Sequence, residues 1–189
     1  MRFKLLTAAL LAVSASGAFA ATYNIDPSHT YPSFEADHKG GLSVWRGKFD
    51  KTSGTIQMDR AARTGSMDIT IDAASINFGL DKMNTHAKSP DMFNVEKFPT
   101  VKYTGKSFKF EGEQLVAVEG ELTMLGVTRP LTLKINKFKC VQDQRLKREV
   151  CGADASAEFK RTDFGLNYAT PVFAPEVKLA IQVEAIAAQ

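Results

Sequence analysis

Alternation of apolar and polar residues with a period of two restricts the fold of this chain more than any other feature. Ile56 and Met58 alternate with Thr55, Gln57 and Asp59, and Met67, Ile69 and Ile71 with Asp68, Thr70 and Asp72. Leu131, Leu133 and Ile135 are separated by Thr132 and Lys134, and Val177, Leu179, Ile181 and Val183 by Lys178, Ala180 and Gln182. Successive side chains of a strand point to opposite faces, so each stretch reads as a strand with one apolar and one wet face. Turn signals fall between such stretches at Lys39-Gly40-Gly41, Ser53-Gly54, Thr64-Gly65, Glu111-Gly112 and Leu125-Gly126. Counting the segments gives about eight to ten strands. Leu80 to Ala87 is the best helix candidate, and it breaks before Ser89-Pro90. The continuous apolar runs of parallel βαβ units are absent. The chain reads as one all-β, antiparallel domain whose sheet would protect its edges by closing into a barrel.

Composition narrows the function classes. The 189 residues suffice for a core, and 44% hydrophobic with 24% charged residues is the balance of a globular chain. A net charge of +3 is too small to direct the protein onto nucleic acid. The start of the chain also has its own character. Arg2 and Lys4 precede an apolar run from Leu5 to Val13, and Ala18-Phe19-Ala20 follows. This is the pattern of a signal peptide, too short to span a bilayer, so residues 1–20 are expected to be removed on export. The mature domain, 21–189, is then nearly neutral and carries no membrane anchor. No cysteine follows the expected cleavage site.

Export gives the two cysteines a meaning. Cys140 and Cys151 would meet an oxidising compartment, where a structural disulfide is the expected outcome and a redox-active pair the alternative. The polar run between them reads as a loop joining two strands. Signatures of catalysis are weak: there is no Gly-x-Ser-x-Gly elbow. His29, His38 and His86 show no metal-ligand spacing, and neither metal nor cofactor is expected. Asp26 and His29 could pair beside a metal or simply pin the N-terminal turn. His38 and His86 suit the polar mouth of a pocket. Arg161 and Asp163 lie two apart, which on a strand puts them on one face, either as an ion pair or as a head-group contact. Phenylalanines recur in nearly every expected strand, where they either fill a core or line a cavity.

Five motifs occur in order along the chain. They are Asp26-Pro-Ser-His29-Thr-Tyr-Pro-Ser-Phe34 followed by His38; Gly47-Lys-Phe49 with Gly54; His86 to Phe93 followed by Phe98-Pro99; Gly120-Glu-Leu122-Thr-Met-Leu-Gly126-Val-Thr128-Arg-Pro130; and Arg161-Thr-Asp163-Phe164-Gly165. As a set they resemble the YceI-like family of polyisoprenoid-binding proteins over essentially the whole mature chain. Ala87 stands where that family usually has leucine, and Phe98 where it has tyrosine.

The resemblance implies a lipocalin-like, up-and-down β-barrel of about eight strands with one or two short helices. It also implies export to the periplasm and a long apolar lipid, polyisoprenoid or similar, held in the lumen. Phe34, Trp45, Phe49, Phe93 and Phe164 are then the expected lumen residues, with His38, His86 and Arg161 as mouth or head-group contacts. Asp26, His29 and Asp163 are expected to be structural. A homodimer is left open. The competing readings are a histidine-dependent enzyme or metal-binding protein on the same barrel, and a barrel serving only as an interaction scaffold.

Overall fold

The computed structural model describes residues 20–189; the expected signal peptide, but for Ala20, lies outside the described residues. Eleven strands follow in chain order: β1 Ala21–Ile25, β2 Tyr31–His38, β3 Ser43–Phe49, β4 Thr52–Asp59, β5 Thr64–Asp72, β6 Ile76–Asn77, β7 Thr100–Glu111, β8 Gln114–Met124, β9 Val127–Asp143, β10 Arg148–Lys160 and β11 Glu176–Ala187. One helix, α1 (Asp81–Lys88), precedes β7, and short 3-10 turns cover Ala73–Ser75 and Arg161–Phe164. No helix among the described residues is long and apolar enough to cross a membrane.

All pairings are antiparallel, and eight strands close a ring in the order β1-β4-β5-β7-β8-β9-β10-β11 and back to β1. One edge of β11 serves two partners. Its first half pairs with β2, from Val177↔Ala36 to Gln182↔Tyr31, and its last residues pair with β1, from Ala185↔Ile25 to Ala187↔Tyr23. The Asp26-Pro-Ser-His-Thr turn sits at the changeover. There the Thr30 hydroxyl donates to the Glu184 carbonyl and accepts from the Glu184 N–H, continuing the ladder where the strand breaks. Beyond β2 come β3 and then β6, which pairs with β3 alone. The chain then leaves the sheet through α1 before returning as β7. The ring is therefore complete at the floor, while at the mouth α1 and two loops complete the wall.

Two turn expectations are corrected. Ser53-Gly54 lies inside β4, because Gly54 has φ +148° and a Cβ there would stand 2.2 Å from the Asp68 carbonyl oxygen of β5. Glycine at this point permits close strand approach rather than a turn. Thr64-Gly65 opens β5, the reversal itself being made by the four residues before it. The run between the cysteines is likewise mostly strand: β9 and β10 extend through it to a four-residue turn. Cys140 and Cys151 face each other directly in that ladder and are joined as a disulfide, with Cα atoms 4.0 Å apart.

The floor is packed by Tyr23, Met58, Phe108, Leu115, Val118 and Cys151, all buried. The Tyr23 hydroxyl donates to Glu149, which also pairs with Arg60 at 2.7 Å. Burial, and then the hydrogen bond and charge of Glu149, push the Tyr23 phenol from 10.0 up to about 12, with Arg60 opposing.

Replacing Gly54 with alanine is expected to lower stability by about 2 kcal/mol or more, read from urea melts, because the obstacle is backbone. Tyr23 should make the fold sensitive to alkali. Its folded pKa lies above its unfolded one, so its contribution is full below pH 10.0 and declines as pH rises toward about 12. Urea melts across that window should show falling stability, with a shallower fall in Tyr23→Phe.

Candidate functional site

The inward positions of the alternating strands do not meet at the barrel axis. They enclose a cavity of about 420 Å³, within the size range of small-molecule sites. Ile56, Ile69, Leu133, Leu179, Ile181 and Val183, all singled out by alternation, line it. Several are only half-buried because they face the lumen. Met58, Met67, Met83, Met92 and Met124, every methionine after Met1, also line the cavity. Unbranched thioethers adapt to irregular guests, so this wall can reshape around its contents.

Glycines keep the lumen open. A Cβ at Gly47 would meet the Phe34 ring at 2.5 Å, one at Gly65 the Phe108 ring at 2.4 Å, and one at Gly120 the Tyr103 hydroxyl at 2.7 Å. Each ring thus lies along the barrel wall over a neighbouring strand's glycine, instead of standing into the space. The Tyr103 hydroxyl lies 3.0 Å from both the Val118 and the Leu131 carbonyls, and burial raises its pKa.

At the mouth the wall becomes aromatic. The His38 ring lies between Trp45 and Phe173, at centroid distances of 4.8 and 5.3 Å. His86, on α1, meets the edge of Tyr168 at 4.8 Å. Phe34, Phe49 and Phe93 form a contiguous group deeper in, Phe34–Phe49 at 5.9 Å and Phe49–Phe93 at 5.7 Å. Phe34, His38, Trp45, Phe49, His86, Phe93 and Arg161 all line the cavity. Phe164 does not: it is buried beside the wall, edge-on to Phe159. The reason is local, since Arg161–Phe164 is a 3-10 turn ending at Gly165 in the left-handed region, φ +84°, so strand alternation no longer applies.

The same turn separates Arg161 from Asp163. Asp163 is exposed and makes no ion pair among the described residues, whereas Arg161 is 8% exposed. Its guanidinium donates to the carbonyls of Leu166, Tyr168 and Phe173 and to the Thr170 hydroxyl, at 2.8 to 3.2 Å. It thereby ties down the strap formed by residues 165–175. Burial lowers the Arg161 pKa, and the Asp37 charge opposes that shift. Asp37 also holds the strap, accepting from Ala174 N–H as well as from Gly40 and Gly41. Those backbone N–H groups keep its carboxyl below the usual range.

Asp37, Tyr168 and Phe173 escape sequence reasoning, because their positions depend on the strap folding back over β2. Asp26 and His29 are brought together, Oδ2 to Nδ1 at 2.8 Å, with Glu184 beside them on the outer surface. The Ser28 hydroxyl, and after it His29, lower the Asp26 pKa against the effect of burial, and the hydrogen bond to Asp26 raises that of His29. None of the three lines the cavity.

Arg161→Met should destabilise the fold by about 2 to 4 kcal/mol, since one buried carbonyl, at Leu166, and two part-buried ones, at Tyr168 and Phe173, lose their donor. It should also speed proteolysis within the strap; unchanged melting with lost ligand affinity would instead assign Arg161 to the ligand.

Comparison with known proteins agrees with this geometry. The sequence matches the YceI-like domain over residues 23–185. It is 32% identical to Protein YceI of Escherichia coli over 184 residues, covering 96% of this chain and 95% of the relative. The fold resembles the Campylobacter jejuni YCEI protein at 25% identity and TM-score 0.69, covering 78% of this chain and 88% of that one. It also resembles a polyisoprenoid binding domain from Saccharophagus degradans at 18% identity and TM-score 0.65, with 89% and 99% covered. Domain match, relatives and barrel concur: this chain belongs to the YceI-like family.

Proposed function

We propose that this protein is a periplasmic carrier, exported by removal of residues 1–20, that holds a long apolar lipid of polyisoprenoid type in its lumen and performs no chemistry on it. The observation that carries the reading is the apolar cavity of about 420 Å³ inside the closed ring. The polyisoprenoid binding by the domain from Saccharophagus degradans supports the same ligand class. A cavity of about 150 Å³ takes one benzene-sized guest, so this lumen holds roughly 15 to 20 carbons as it stands. A longer chain must reshape the methionine wall or emerge through the mouth. Each methylene withdrawn from water contributes about 0.8 kcal/mol before association costs.

Head-group contacts fall to the mouth, where His38, His86 and Trp45 provide ring edges and faces, while Phe34, Phe49 and Phe93 contact the chain. Both mouth histidines are engaged in ring contacts, and neither belongs to a potential metal-ligand cluster among the described residues. Phe164 and Asp163 support the wall and turn rather than the ligand.

Organic extraction of protein purified from its native compartment should yield an apolar lipid by mass spectrometry, and added prenols should change Trp45 fluorescence. Ala155, buried in the wall, offers a way to fill the lumen. Ala155→Phe should weaken prenol binding by about tenfold or more while the protein still melts cooperatively. Finding neither extracted lipid nor a Trp45 response would end the carrier reading.

A further inference from the structure

Large apolar side chains stand exposed at six of the described positions, and five of these cluster at the mouth: Leu42, Val44, Leu80, Tyr168 and Val172. Val141, near the floor, is the sixth. The most protruding sit on three separate tips. Leu42, 74% exposed, tops the β2–β3 hairpin; Leu80, 56%, begins α1; and Val172, 63%, lies on the strap. The three tips form one rim. Asp37 of the hairpin strand bonds the strap at Ala174, His38 stacks on Phe173, and His86 of α1 packs on Tyr168.

The strap falls within twelve consecutive uncharged residues, 164–175, which is unusual for an exposed loop. The floor contrasts sharply. Its turns carry Arg60, Arg63, Glu113, Arg145 and Lys147.

We infer that the rim is a docking surface for a lipid bilayer, through which the cavity exchanges its ligand. The inference rests on the carrier reading and adds where loading takes place. Rim and lumen are continuous: Tyr168 is exposed on the rim and also lines the cavity, as do His38, Trp45 and Phe173 beneath it. An apolar chain leaving a bilayer through this mouth would avoid crossing water. A second copy docked mouth to mouth would instead seal both cavities.

The charges fit a headgroup layer as well. Lys39 stands beside the Leu42 tip, Lys82 beside Leu80, and Lys88 ends α1; none is ion-paired among the described residues. Asp37, Asp81, Asp91 and Asp163 balance these lysines and Arg161, so the rim is close to neutral, and the Asp37 carboxylate is engaged by three backbone N–H groups. Lysines flanking apolar tips can reach headgroups while Leu and Val enter the acyl boundary.

The test is vesicle flotation of the purified protein without ligand, using phosphatidylethanolamine containing about a quarter phosphatidylglycerol. Wild-type protein should float with the vesicles. The Leu42→Asp/Val172→Asp double variant, altered only at exposed positions, should melt as wild type yet float about tenfold less or worse. Transfer of a pyrene-labelled prenol from the same vesicles should slow by a similar factor, while affinity for dispersed prenol stays unchanged. Wild-type protein that stays soluble, or a double variant that floats equally well, would overturn the docking surface. A concentration-dependent dimer abolished by the same substitutions would reassign the rim to self-association. Failure of the dispersed prenol to bind overturns the carrier reading, whereas flotation of ligand-free protein decides the rim separately.

Discussion

The split edge of β11 is the constraint from which the architecture follows. One strand of twelve residues bonds β2 along its first half and β1 along its end. The β1 contact closes the ring, removing the free edges that an open sheet would expose. The β2 contact directs β2, β3 and β6 toward the mouth, where the wall is finished by α1 and the strap instead of by paired strands. A single ladder thus makes one end of the barrel closed and charged, and the other open and apolar.

Closure alone does not make a cavity, because an eight-stranded barrel can be filled by its own side chains. Here two local devices hold the space open. Large rings lie over Gly47, Gly65 and Gly120 of neighbouring strands and so stay against the wall. Elsewhere methionine replaces the branched residues that would interlock across the axis. The structure gives up some packing in the centre and recovers rigidity at the floor, where Tyr23, Glu149 and Arg60 are joined beside the disulfide ladder.

At the mouth, Arg161 trades solvation for four hydrogen bonds to the strap. A buried guanidinium is costly unless its donors are satisfied, so the loop must keep one shape for the arrangement to hold. That shape places Tyr168 and Phe173 against the two mouth histidines. Organisation of the entrance therefore depends on a cation that a local reading would pair with the nearest carboxylate.

Period-two alternation determined by itself that the chain is antiparallel β and which residues of β4, β5, β9 and β11 face inward, because side-chain direction in a strand is a local property. The helix near Leu80 was legible for the same reason, from its stop at Ser89-Pro90. Gly54 and Gly65 misled, since a glycine that admits a neighbouring backbone or ring looks in sequence like one that turns the chain. The shared face expected for Arg161 and Asp163 was lost because the two lie in a 3-10 turn, where strand alternation does not apply. Only the tertiary structure decided that the inward residues leave a lumen, that Asp37 and Phe173 belong to its mouth, and that five exposed apolar side chains gather there. Those facts depend on which distant segments meet, and no local pattern carries that information.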